Sequence, residues 1–156
     1  REKKVGVEIT MTENEFMNSA FLESKKSSDW WRQVGAVLVK EGKILLSKSN
    51  QHVPSSQQPY VDGDPRCLSV KGQDLDLYTS LHAEAGIIAE AAKKGIPLEG
   101  AEMYVTDFPC PTCAKQIAYS GIKKVYFTKG YAVLDGERIL KNNNIEIIKI
   151  EKKATE

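Results

Sequence analysis

Residues 81–113 read LHAEAGIIAEAAKKGIPLEGAEMYVTDFPCPTC, and the rest of the chain is organised around them. His82-Ala83-Glu84 opens the stretch and Pro109-Cys110-Pro111-Thr112-Cys113 closes it, with one helix and one strand between. His82, Cys110 and Cys113 offer one imidazole nitrogen and two thiolate sulfurs. Zn²⁺ favours that donor set, and three protein ligands leave the fourth tetrahedral position for water. Glu84, two residues beyond the histidine, is placed to move that water's protons.

The spacing has a physical basis. Ala83 to Lys94 is predicted as a helix with an apolar stripe of Ala85, Ile88, Ala89 and Ala92, stopped by Gly95. His82 then stands at its N-terminus. Pro109 precedes a second helical run, Thr112 to Tyr119, closed by Gly121. Cys110 and Cys113 are three apart, so one helical turn puts both sulfurs on one side. Two helix N-termini are therefore expected to meet at the metal. Their dipoles and free N–H groups favour thiolate over thiol and stabilise charge developing on a substrate.

Each part alone is weak. A lone His-Ala-Glu is a helix start, and a lone C-x-x-C is a redox pair or half of a structural zinc site. A structural site needs a fourth ligand, and only His52 and Cys67 remain to supply a Cys or His. Taken in order, with a strand-like Met103–Asp107 leading in, the pieces make the H-x-E…P-C-x-x-C pattern of zinc deaminases. In that pattern the glutamate is an acid/base and not a ligand.

A chain of 156 residues, 41% hydrophobic and 28% charged, is expected to be one soluble domain over 1–156, with its core at about 12–150. The net charge of +1 gives no argument for a nucleic-acid or membrane partner. No apolar run approaches the ~20 residues of a membrane helix. Three cysteines, two of them in the motif, predict a reducing compartment, and the protein is read as cytoplasmic.

Along the chain, residues 1–10 are charged and then alternating. Thr12 and Glu15 make a capping box for a helix from Glu13 to about Lys26, with Phe16, Met17, Ala20 and Phe21 as its apolar face. Trp30 and Trp31 either pack that helix on the sheet or line a pocket mouth. Val34–Val39 reads as a strand buried on both faces, and it turns through Lys40–Lys43 into a partner strand that ends at Asn50. Gly35 is small either for close approach of another group or for a side chain packed over it. Residues 51–80 are the least regular part and read as a substrate-covering loop with candidate phosphate contacts at Arg66 and Lys71. Strands at Lys124–Thr128 and Ile145–Ile150 flank a helix at Leu134–Lys141. The sum is an α/β fold of three layers, α/β/α, around a five-stranded mixed sheet whose last two strands are parallel.

These motifs resemble the cytidine and deoxycytidylate deaminase superfamily, most closely its deoxycytidylate deaminase-type members. The resemblance is carried by Val34-Gly35-Ala36-Val37, Asn50, His82-Ala83-Glu84, Pro109–Ala114 and Gly121–Tyr126, and covers roughly 30–150. It implies the cytidine-deaminase-like fold, Zn²⁺ on His82, Cys110 and Cys113, and a homo-oligomer, dimer or hexamer. It also implies that Asn50 binds the sugar. The chain departs from it at Gly86-Ile87, where an asparagine is common, and at Gln51-His52-Val53-Pro54, where a glycine usually follows the asparagine.

The expected chemistry is hydrolytic deamination of a cytosine nucleotide, deoxycytidylate first, with Glu84 shuttling protons. Backbone groups near Ala83 and Cys110 hold the ring edge, and Phe108 is either a base-stacking surface or a packed core residue. A second reading keeps the chemistry but acts on cytosine or adenine in single-stranded DNA or RNA. The near-neutral charge weighs against it. A third reading is a zinc-binding module without turnover, against which Glu84 argues.

Overall fold

The computed structural model describes residues 11–29, 31–53, 70, 73, 79–130 and 136–151. Its frame is a five-stranded sheet. Strands β1 (Gly35–Lys40) and β2 (Lys43–Ser49) form a hairpin; β5 (Glu102–Asp107), β6 (Lys124–Lys129) and β7 (Glu146–Lys149) complete the order β2-β1-β5-β6-β7. β1 is antiparallel to both its neighbours, while β5, β6 and β7 run parallel. The parallel part thus holds one strand more than the two expected. β3 (Gln51–His52) and β4 (Ser80–Leu81) form a separate two-stranded ribbon, so the ends of the presumed loop pair with each other.

Alternation of side chains builds both faces. Val37 and Val39 of β1, Tyr104 of β5 and Tyr126 of β6 point to one face, under helix α1 (Glu13–Ser24), where they meet Phe16, Met17 and Ala20. Tyr104 and Tyr126 stack there with ring centroids 4.2 Å apart. Ala36, Leu38, Met103, Val105, Val125 and Phe127 point to the other face. Helices α2 (Ala83–Lys94), α3 (Pro111–Ser120) and α4 (Gly136–Asn142) cover that side through Ile87, Ala91, Ile117 and Leu140. A strand buried on both faces explains why β1 is continuously apolar.

Helix ends follow their local chemistry. Thr12 and Glu15 form the reciprocal capping box at α1, which ends at Ser24, two residues before the expected Lys26. Gly95 stops α2 in the left-handed conformation at φ 66°. Gly35 is required by close approach: a Cβ there would lie 1.9 Å from the Ala20 carbonyl oxygen and 2.6 Å from the Ser24 nitrogen. The small residue therefore lets α1 lie directly on β1.

The buried face of α2 differs from the expected stripe. Ala83, Glu84, Gly86, Ile87 and Ala91 are buried, Ala85 and Ile88 are half-buried, and Ala89 and Ala92 are exposed. Residues 83, 87 and 91 also repeat every four, and the sheet takes that stripe. The expected last helix runs from Leu134 to Lys141; Leu134 lies outside the described residues, and α4 is described over Gly136–Asn142.

Candidate metal centre and active site

The parallel strands of an open α/β sheet place loops and helix N-termini at their carboxyl ends, where ligands bind. β5 ends at Asp107, and Phe108-Pro109 leads into Cys110, the N-cap of α3. Pro111 at the first helical position supplies a preset φ and lacks an N–H that would have no helical partner. The Cys110 sulfur accepts the Cys113 backbone N–H at 3.5 Å. His82 is the N-cap of α2, and its side chain makes no capping bond, so its ring is free for other work.

The His82 Nδ1 lies 3.4 Å from the Cys110 Sγ and 3.4 Å from the Cys113 Sγ. All three ligand atoms fall within 4.8 Å of one another. A tetrahedral ion with Zn–N of about 2.0 Å and Zn–S of about 2.3 Å sets N···S at about 3.5 Å. The residues therefore fit Zn²⁺ in donor type and in spacing. Two helix N-termini face the centre, as the motif spacing required.

The electrostatics agree. Cys110 is pulled down, first by its hydrogen bond with Cys113 and then by His82, which favours its thiolate form. The same Cys110 bond, together with burial, pushes Cys113 up. His82 is raised chiefly by its hydrogen bond to Cys110, while the Arg32 guanidinium opposes this, so that cation is within electrostatic reach of the centre. Glu84 is 4% exposed, and burial raises it above the usual carboxylate range. His82 and a contact with Cys113 act in the opposite sense, which places the carboxyl beside the ligand set.

The other candidate residues fall in different places. Asn50 is buried at the end of β2. Its Oδ1 accepts from the Ser27 Oγ at 2.6 Å and the Val34 N–H at 2.9 Å, and its Nδ2 donates to the Arg32 carbonyl at 2.7 Å. These bonds leave one amide hydrogen over. The Gln51↔Leu81 pairing sets Asn50 abreast of His82. Ala83 is fully buried as the first residue of α2. Phe108 belongs to the core, its ring 4.9 Å from Phe127 and edge-on to it. His52 is buried on the ribbon, while Arg66, Cys67, Lys71 and Trp30 lie outside the described residues.

Sequence reasoning missed an ion-pair cluster at the site's rim. Arg32 reaches Asp107 Oδ2 through Nε at 2.9 Å and a terminal nitrogen at 2.8 Å. Lys129 lies 3.8 Å from Asp107 Oδ1, across the β5–β6 pair. The Asp107 side chain is 8% exposed and that of Arg32 58%, so a buried carboxylate holds an exposed cation within electrostatic reach of His82. The only signal was an acidic residue at the carboxyl end of an apolar strand.

A three-layer α/β/α domain with a His-Cys-Cys centre and a buried glutamate at two helix N-termini is the architecture of a zinc-dependent deaminase-type protein. The family model for the cytidine and deoxycytidylate deaminase zinc-binding region matches residues 10–129, and the chain belongs to that family, whose cofactor is zinc. It is 31% identical over 168 residues to the deoxycytidylate deaminase of enterobacteria phage T4, covering 86% of this chain and 87% of that one. It is 32% identical over 116 residues to ComE operon protein 2 of Bacillus subtilis, covering 74% of this chain and 58% of that relative's length. Among solved structures, the dCMP deaminase of cyanophage S-TIM5 in complex with dCMP and dUMP superposes with a TM-score of 0.69 at 31% identity, over 90% of this chain and 99% of that one.

Proposed function

We propose that the protein is a zinc-dependent hydrolase that converts the cytosine of a nucleotide, deoxycytidylate first, to uracil with release of ammonia. The observation that carries this is the buried Glu84 carboxyl set against a His82–Cys110–Cys113 ligand set of zinc dimensions. A structural zinc site has no use for a buried acid/base there. His82, Cys110 and Cys113 would hold the ion, and zinc, when bound, supplies the Lewis acidity that lets a water lose its proton near neutral pH.

The chain's own groups do the rest. Glu84, its carboxyl raised above the usual range by burial, accepts a proton from the attacking water and delivers it to ring N3. It then takes the remaining proton from the new C4 hydroxyl and passes it to the C4 amino group, and ammonia leaves as the C4 carbonyl forms. Backbone groups at Ala83 and Cys110 orient the ring edge. The spare amide hydrogen of Asn50 meets a sugar hydroxyl.

Support for a nucleotide over a nucleoside comes from Arg32, a cation fixed at the rim by Asp107. Support also comes from relatives called deoxycytidylate deaminases and from a structural neighbour in complex with dCMP and dUMP. A homo-oligomer, dimer or hexamer, and a cytoplasmic location belong to the same reading. The test is ammonia release from deoxycytidylate, deoxycytidine, cytidine and free cytosine by the zinc-loaded chain. Deoxycytidylate is expected to be turned over with the highest kcat/KM. A zinc-loaded sample that releases no ammonia from any of them removes the proposal.

A further inference from the structure

The β3–β4 ribbon carries a histidine that the deamination chemistry does not use. His52 pairs with Ser80, and Gln51 with Leu81. In an antiparallel pair, residues directly opposite share a face, and so do residues two apart along a strand. Gln51 and Leu81 are exposed on one face; His52 is 4% exposed and Ser80 half-buried on the other. His82 keeps an extended backbone, φ −66° and ψ 149°, and so continues the alternation. His52, Ser80 and His82 therefore project from the same side of one short ribbon, with Asn50 abreast of His82.

Strands two residues long are held only weakly by their ladder. Two bonds to side chains and one further backbone bond fasten this one. His52 Nδ1 lies 2.6 Å from the Thr79 Oγ1, the Val53 N–H donates to the Thr79 carbonyl at 2.8 Å, and the His52 N–H donates to the Ser28 Oγ at 3.0 Å. The other ring nitrogen, Nε2, is buried and makes no hydrogen bond among the described residues. The imidazole's hydrogen bonding is thus confined to Nδ1 and Thr79. Thr79 immediately precedes β4 and lies three residues before His82, which follows that strand. A zinc ligand tolerates displacement of only a few tenths of an ångström.

We propose that His52 is a positioning residue for the metal centre: its Nδ1–Thr79 bond fixes β4 so that His82 meets both cysteine sulfurs. The inference rests on the zinc reading above. It is tested by zinc affinity from chelator competition and by the visible spectrum of the Co²⁺-substituted full chain, neither of which needs turnover. His52→Phe keeps bulk and removes the bond, and is expected to weaken zinc about tenfold or more. His52→Asn puts an amide atom where Nδ1 stood and is expected to restore affinity to within about threefold. His52→Gln, which mimics Nε2, is expected not to. Thr79→Val should reproduce the loss and Thr79→Ser should not, which carries the same test should His52→Phe fail to fold.

Zinc affinity in His52→Phe within about twofold of the parent chain overturns the inference, whatever the melting temperature does. Rescue by His52→Gln but not His52→Asn also overturns it, because Nε2 would then be the working atom. A parent chain that takes up no zinc overturns the metal reading itself. A parent that binds zinc beside a His52→Phe chain that binds as tightly overturns this inference alone.

Discussion

A carboxyl 4% exposed has lost most of its hydration, and at Glu84 burial favours the neutral form while His82 favours the charged one. That balance suits a group that must hold a proton and give it up within each turnover. Glu84→Gln keeps the shape and removes the proton traffic. Its kcat is expected to fall by about 10²–10⁴-fold while bound zinc, measured by atomic absorption, stays at the parent level. Equal ammonia release by the two proteins would show that the glutamate is a bystander. Arg32 makes a different claim. Arg32→Ala removes a rim cation and leaves the ligand set intact, so KM for deoxycytidylate should rise about tenfold or more while KM for deoxycytidine changes little. Matching KM increases for both would mean that Arg32 braces the site and does not read a phosphate. At Gly35 the sequence showed a small residue beside a core strand but not what approaches it. The backbone of α1 does, at 1.9 Å from a notional Cβ. Gly35→Ala is expected to destabilise by about 3 kcal/mol, visible as a melting temperature lower by roughly 10 °C.

At the scale of elements, what could be read locally was read. The bounds of α2, the Thr12–Glu15 box, the two-faced burial of β1 and the placing of Cys110 at the N-terminus of α3 each follow from residues within a few positions of one another. The face of α2 did not follow, and the reason is compositional. An alanine-rich helix has apolar residues at 83, 87 and 91 and again at 85, 88, 89 and 92, so its periodicity supports two stripes, and only the position of the sheet chooses between them. Long-range pairings were equally silent: Arg32 and Asp107 are 75 residues apart, and the ribbon strands are too short to leave a pattern. The choice of face gives a direct test. Ile87→Ala, in the core, should lose about 2–5 kcal/mol by urea unfolding, whereas Ala92→Ser, on the outer stripe, should stay within about 0.5 kcal/mol of the parent. Similar losses at both positions would place a partner on the outer stripe.

On the scale of the whole molecule, the sheet and the metal divide the labour of holding α2 and α3. Both helices rest on one apolar cluster, through Ile87 and Ala91 of the first and Ala114 and Ile117 of the second. Their N-termini converge on His82, Cys110 and Cys113, where a shared ion would tie them together. Because the core is contiguous without the metal, the fold is expected to survive its removal, unlike a zinc finger, whose structure depends on the ion. Stability should still depend on zinc by mass action, with about 2.7 kcal/mol gained at a free concentration one hundred times Kd. The measurement is a pair of thermal melts, chelated and zinc-buffered, beside far-UV circular dichroism of the chelated chain. The expected outcome is an unchanged spectrum at 25 °C, a lower midpoint after chelation, and a midpoint that climbs with the logarithm of free zinc. A midpoint indifferent to zinc would mean that the three side chains hold no ion in the folded state. Collapse of the spectrum on chelation would mean that the ion, and not the apolar cluster, holds the two helices in place.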